Sequence, residues 1–215
     1  VRDKTNDDAR LGFKNGAAET GISFAGQAGT YDYAAGVWSD TEIEQLDAAL
    51  AILHNATANK ELLEQQGGNE IEMLRHGAQT AAVGGNFQAA AWNDGGQIHV
   101  ATLSIETIIH EIGHYWDREY DKNGWRDVSG WVKNPADTTG LTQALDDSGE
   151  WWFSSTALFT STYATTTPEE DFSESFANYF MNMGGLTFAG DAGGQDISTI
   201  AAKEAFFDDM VADLA

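Results

Sequence analysis

His110-Glu111-Ile112-Gly113-His114 decides how the rest of this chain is read. In a helix, residues four apart lie one turn above each other on the same face, so this pentapeptide sets two imidazoles side by side with a carboxylate next to them. That is how a zinc hydrolase holds its metal. The flanking residues supply the helix: Ile105, Ile108, Ile109, Ile112 and Trp116 recur at helical intervals. The pattern predicts a buried helix from about Ser104 to Asp121, with His110 and His114 projecting together into a cleft. Such matches also arise by chance, and a core helix with two hydrogen-bonded histidines is the competing reading.

A zinc hydrolase needs a third protein ligand and an open position for water. The elongated pattern of the metzincins is absent, since Tyr115, Trp116, Asp117, Arg118 and Glu119 follow His114. The ligand must come from downstream. The segment from Thr167 to Phe180 opens with Thr then Pro, a helix start signal. Phe172, Phe176, Tyr179, Phe180 and Met183 form its apolar stripe, while Glu170 and Glu174 share another face and can both look at a metal. Thr167 and Glu170 also fit a capping box, which would turn the Glu170 carboxylate back toward the cap amide; Glu169 could cap from Thr166 instead. Asp117, three residues after His114 and seven after His110, lies on their face and could orient a ligand imidazole, or be a solvated helix carboxylate.

With these residues quoted, the chain resembles a known family. His-Glu-x-Gly-His-x-x-Asp, then a Tyr seven residues before a Glu that opens Glu-x-Phe-x-Glu-x-Phe-Ala, is similar to the anthrax lethal factor-like zinc peptidases, gluzincins that include the Pro-Pro endopeptidases. The matching motifs cover about residues 98 to 183. The resemblance implies a mixed α+β, zincin-like metallopeptidase domain with a small mixed sheet, one helix carrying His-Glu-x-x-His and a second carrying the glutamate ligand. It implies one catalytic Zn2+ held by His110, His114 and Glu170, with Glu111 as general base, Tyr163 as transition-state stabiliser and Glu174 supporting the ligands. The implied partner is a peptide or protein substrate. No Pro-Pro preference follows.

Each role has a chemical reason. Zinc lowers the pKa of its water to about 7 and polarises the scissile carbonyl. A carboxylate at Glu111 takes the water's proton and passes it to the leaving amine. A phenol at Tyr163 can donate to the oxyanion, or simply pack as a loop tyrosine. The rival to an enzyme is a secreted or surface binding and adhesion module that keeps the zincin fold without proteolysis; intact Glu111 and Tyr163 argue against it.

Eleven Lys plus Arg against 34 Asp plus Glu leave a formal charge of −23, a field that repels nucleic acid and anionic membranes. Hydrophobic residues at 42% exclude a disordered chain, and 215 residues suffice for one domain with a proper core. No apolar run is long enough to span a bilayer, so no membrane insertion is expected. The absence of cysteine excludes disulfides and thiolate ligands. Strong acidity with few lysines suits a secreted or cell-surface bacterial protein, and a start at Val1 without a signal peptide suggests a processed protein or a domain of a larger one, monomeric by expectation.

Residues 1–36, rich in Gly, Asp and Asn, read as a loosely packed N-terminal arm with short strands near Gly21 to Ala25 and Tyr31 to Ala34. The zincin-like catalytic domain then runs over 37–215 and is expected to form one compact unit with the arm. Ser39 and Glu42 form a capping box, and Ile43, Leu46, Leu50 and Leu53 give a helix. A helical piece through Lys60 to Gln66 ends at Gly67-Gly68. Strands are expected at Ile71 to Arg75, Phe87 to Trp92 and Gln97 to Ala101, the last two joined by a turn at Asn93-Asp94-Gly95-Gly96. Gln97 to Ala101 is either an edge that pairs with substrate or a plain hairpin strand. Trp125, Trp131, Trp151, Trp152, Phe153 and Phe159 read as core and as one wall of the cleft. The loop Gly184 to Gly194 offers Asp191 as a Ca2+ donor but fits neither an EF-hand nor the nonapeptide repeat. A last helix spans Ile197 to Val211, and His54, His76 and His99, without ligand spacing, are read as structural.

Overall fold

One strand of thirteen residues, Ile71–Val83, carries the sheet that positions everything else. The computed structural model describes residues 11–24, 27–64, 70–94, 96–146, 149–190 and 193–215. In chain order come β1 (Leu11–Asn15), β2 (Glu19–Ile22), β3 (Thr30–Ala35), α1 (Asp40–Thr57), β4 (Ile71–Val83), β5 (Ala91–Asn93), β6 (Gln97–Val100), α2 (Ile105–Glu119), α3 (Lys122–Ser129), β7 (Trp131–Lys133), β8 (Leu141–Gln143), β9 (Trp151–Ser154), α4 (Pro168–Met183) and α5 (Ala201–Leu214). Short 3-10 turns fall at Glu61–Leu63, Tyr163–Thr165 and Ile197–Thr199. The class is mixed α+β with a mixed sheet, as expected.

The sheet order is β2-β3-β4-β6-β5, with β1 also paired to β4. The first half of β4 lies parallel to both β1 (Leu11↔Ile71) and β6 (Glu72↔Gln97), and its second half runs antiparallel to β3 (Tyr31↔Ala82). Only Ile71 to Arg75 was expected as strand, because Ile71, Glu72 and Met73 alternate whereas Gly77, Ala78, Ala81 and Ala82 have weak strand propensity; pairing with β3 imposes the extension.

The segment read as a loosely packed arm supplies β1, β2 and β3 of this sheet: β3 falls where a strand near Tyr31 to Ala34 was expected, β2 overlaps the one expected near Gly21, β1 is additional, and Tyr31 and Tyr33 are buried. Of the two readings of Gln97 to Ala101, the internal hairpin strand is the one that holds. β6 is interior, flanked by β4 and β5, because the hairpin folds β5 (Trp92↔His99) over its outer side. β5, Ala91–Asn93, is the edge on this side, and it shares only Ala91 and Trp92 with the strand expected from Phe87 to Trp92. In the connecting turn Asp94 Oδ1 accepts from the amides of Gly96 and Gln97; Gly95 lies outside the described residues.

The main core joins sheet and helices: Leu46, Leu50 and Leu53 of α1, Ile71 and Met73 of β4, Ile98 and Val100 of β6, Ile108 and Ile112 of α2, Phe172, Phe176 and Phe180 of α4, and Phe207 of α5 are all buried in one cluster. Ser39 and Glu42 form the reciprocal cap of α1, and Glu42 further holds the Arg75 guanidinium at 2.6 Å. Met183, counted in the α4 stripe, is exposed at the last turn. The piece through Lys60 is a single turn that buries Leu62 and Leu63; Gln66, Gly67 and Gly68 fall outside the described residues. The last helix begins at Ala201, after the turn Ile197–Thr199.

Of the aromatic segment, Trp125, Trp131, Phe153 and Phe159 are core, while Trp151 and Trp152 are only partly buried. Trp125 is fully buried against Phe172, Phe206 and Phe207. Trp131, Phe153 and Phe159 build a second cluster over a small sheet of order β7-β9-β8 that the sequence reading did not anticipate. Among the described residues no helix is long and apolar enough to cross a membrane.

Candidate metal centre

The site lies where α2 and α4 touch. Ser104 Oγ accepts from the Thr107 amide and starts α2; Thr167 Oγ1 accepts from the Glu170 amide and starts α4, with Pro168 in the first turn. The helices meet at Gly113. A Cβ there would stand 3.1 Å from Ser173 Cα and 3.3 Å from Phe176 Cδ1, inside the roughly 3.5–4.0 Å of ordinary carbon contact. The bare backbone at 113 therefore lets the histidine face of one helix reach the glutamate face of the other.

The competition for the Glu170 side chain resolves toward the histidines. Its Oε2 stands 3.2 Å from His110 Nε2 and 3.5 Å from His114 Nε2. Ligand atoms around a tetrahedral zinc, at bonds of 2.0–2.1 Å, lie about 3.3 Å apart. On the opposite side of the His110 ring, Glu174 Oε1 is 2.9 Å from Nδ1. A carboxylate there favours the proton on Nδ1 and leaves Nε2 directed at Glu170. The three residues here whose donor atoms all lie within 4.8 Å of one another are His110, Glu111 and His114, a set that does not include Glu170, which reaches each Nε2 separately from α4.

Several of these atoms lack partners. Among the described residues Glu170 Oε2 and Glu111 Oε2 are buried without an aligned hydrogen-bond donor, a costly condition for buried polar groups. His110 Nδ1, though 2.9 Å from Glu174 Oε1, makes an ion-pair contact rather than an aligned hydrogen bond. Burial alone would disfavour charge on His110, yet Glu170 and Glu174 outweigh it and hold its pKa well above the usual imidazole range. Burial likewise opposes the Glu170 charge, and His114 and His110 overcome it, holding its carboxyl below the usual range. Positive charge belongs between these side chains, and the donor set of two imidazoles and a carboxylate suits a divalent metal such as zinc. Burial pushes the Glu111 carboxyl up, against the opposing pull of His114 and His110, the direction that makes a base useful near neutrality.

Tyr163 stands on the turn before α4, its ring 6.2 Å from that of His110. Withdrawal from water, then Glu170, Glu111 and Glu174, push its phenol far up, so it stays a donor. Asp117 is buried, not solvated. Among the described residues its two oxygens have no hydrogen-bond partner, His114 included, and Lys122 Nζ is 3.8 Å away. Burial, then the charge of Glu169, raises its pKa to about 6.

A cavity of about 340 Å³ opens over His110, Glu111, His114, Glu170 and Tyr163. Its aromatic wall is made of Phe24, Phe87 and Trp92, from the half of the chain in which no wall was expected. Asp191 of the glycine-rich loop lies outside the described residues. Of the histidines read as structural, His54 is exposed at the end of α1, whereas His76 and His99 face one another beside Glu19. No interval marks that trio in the sequence, since 76 − 19 = 57 and 99 − 76 = 23 residues separate its members; the sheet register alone assembles it. No protein-family model matches this chain, and neither a curated protein nor a solved structure does.

Proposed function

We propose that the protein is a zinc-dependent endopeptidase of the gluzincin type, built on a zincin-like architecture, with His110, His114 and Glu170 as ligands. One observation carries the reading: the two Nε2 atoms converge on a buried Glu170 oxygen that has no aligned donor, at separations close to those of zinc ligands. Zinc, when bound, supplies a water acidic enough to ionise near neutral pH and polarises a carbonyl. Glu111, buried in the same cavity with one oxygen unpaired, accepts the proton of the attacking water and returns it to the leaving amine. Tyr163 keeps its proton and donates to the oxyanion. Glu174 holds the His110 ring in orientation from behind. The substrate is an extended peptide laid along the edge strand β5, whose Ala91, Trp92 and Asn93 line the cavity.

Glu111→Gln tests it. The amide is nearly isosteric but cannot take a proton, so the variant is expected to keep zinc by elemental analysis and to lose cleavage of a peptide library. A variant that cleaves at the parental rate removes Glu111 from the chemistry, and a parent that binds zinc but cleaves nothing turns the reading toward a binding module.

A further inference from the structure

We propose that Glu19, His76 and His99 form a second divalent-metal site, separate from the one above, that fastens β2 to the centre of the sheet. The three side chains come from three strands, β2, β4 and β6. His76 Nε2 and His99 Nδ1 are 2.9 Å apart; Glu19 Oε1 is 3.3 Å from the latter and 3.6 Å from the former. These edges bracket the roughly 3.3 Å between ligands of a tetrahedral zinc, so binding would open the shortest edge by about 0.4 Å.

The outer nitrogens of both rings fix what the inner ones can do. His76 Nδ1 is 3.0 Å from the carbonyl oxygen of Ala17. A carbonyl only accepts, so Nδ1 carries the hydrogen and Nε2 of the neutral ring presents a lone pair. His99 Nε2 faces Asp94 Oδ2 at 3.3 Å. Asp94 already accepts two backbone amides through Oδ1, as an ionised carboxylate does. His99 Nε2 therefore carries the hydrogen, and its Nδ1 also presents a lone pair. Two nitrogen lone pairs and a carboxylate oxygen then converge with no donor among them. A proton on one ring would satisfy a single contact; a divalent cation satisfies all three.

The surroundings match a metal site in other respects. A ligand histidine whose outer N–H is held by a carbonyl or a carboxylate is the usual supporting arrangement, and here both rings have it. His76 is fully buried and His99 nearly so, while Trp92 stacks on the His99 ring at 4.8 Å and 12°. Glu19, one-third exposed, leaves a path for the ion. Two imidazoles with one carboxylate favour zinc or a neighbouring transition ion over calcium or magnesium, which take oxygen ligands. None of the three residues lines the cavity of the first centre, so the role is structural.

Zinc is the probe, and stoichiometry by elemental analysis after equilibration at micromolar free Zn2+ is the readout. The intact chain is expected to hold two ions. The double variant His110→Ala, His114→Ala is expected to hold one, and loss of one further ion on adding Glu19→Gln assigns it to this trio. A double variant that folds and holds none overturns the proposal, leaving His76 and His99 as a hydrogen-bonded pair. If the double variant does not fold, Glu19→Gln in the otherwise intact chain decides: one ion supports the site, two refute it. An intact chain with a single ion that survives His110→Ala but not Glu19→Gln would sink the first centre while upholding this one.

Discussion

Replacing Gly113 by alanine adds one methyl group at the point where α2 and α4 touch. The new Cβ would sit 3.1 Å from Ser173 Cα, about 0.4 Å inside comfortable contact. Both neighbours are in helices whose other faces are packed in the core, so the strain falls on the helix separation. Overpacking of this kind costs about 1–3 kcal/mol. Exchange of glycine for alanine inside a helix returns about 1 kcal/mol. The net loss is then about 1 kcal/mol, or about 2–4 °C in Tm for a domain of this size. The metal affinity should suffer more than the stability. A separation increase of a few tenths of an ångström moves Glu170 Oε2 away from both Nε2 atoms, and metal sites tolerate only about 0.2 Å. At least tenfold weaker zinc binding is expected in a chelator-competition titration, alongside the modest shift in thermal unfolding. Gly113→Val should be worse in both assays. Should Gly113→Ala melt higher than the parent and bind zinc unchanged, the bare backbone at 113 is not what sets the spacing of the site.

The two carboxylates of α4 should separate: Glu170→Ala is expected to abolish zinc retention at the first centre, while Glu174→Ala weakens affinity or activity only about 10- to 100-fold, and the reverse order in zinc titrations would exchange their roles. Tyr163→Phe should lower kcat by about 10- to 1000-fold with zinc content and KM nearly unchanged; an unaltered kcat in steady-state kinetics leaves Tyr163 as packing only. For Asp117, a rise from 3.8 to about 6 means that the folded state holds the proton more tightly. Its stabilising contribution is full below about pH 4 and lost as pH rises through 6, a change of about 3 kcal/mol. Asp117→Asn should remove that decline, which denaturant unfolding from pH 4 to 7 would reveal; a difference between variant and parent that stays flat over this range contradicts the raised pKa.

That side chains of α2 and α4 would come together was legible because the parts of the proposed first centre are local. His110 and His114 are one helical turn apart, Thr167-Pro168 announces the start of α4, and Glu170 and Glu174 are again one turn apart, so periodicity alone set their faces. Which carboxylate meets the imidazoles depends on how the two helices cross, and Gly113, read before as one letter of a motif, is where that crossing is decided. The trio of Glu19, His76 and His99 was not legible, because strand register is a long-range property and a shift of one residue would turn His76 to the other face. The same holds for the cavity wall: Phe24, Phe87 and Trp92 carry no shared spacing, while the tryptophan-rich segment drew attention by composition and sent Trp125 and Trp131 into the core. The short strands β7 to β9 fell below what alternation can show in three or four residues.

The parallel pairing of β1 with β4, Leu11 opposite Ile71, bears on how the chain acquires its shape. Its first strand has no partner until some sixty residues later in the chain, and β4 in turn awaits β6. Closing loops of that length before any reward is collected slows folding. During synthesis α1 can form early, capped by its own Ser39 and Glu42, while the strands of residues 11–35 wait with open edges that invite pairing with other chains. Refolding from denaturant should accordingly proceed best at low protein concentration, with helical signal appearing before the tyrosines Tyr31 and Tyr33 become shielded.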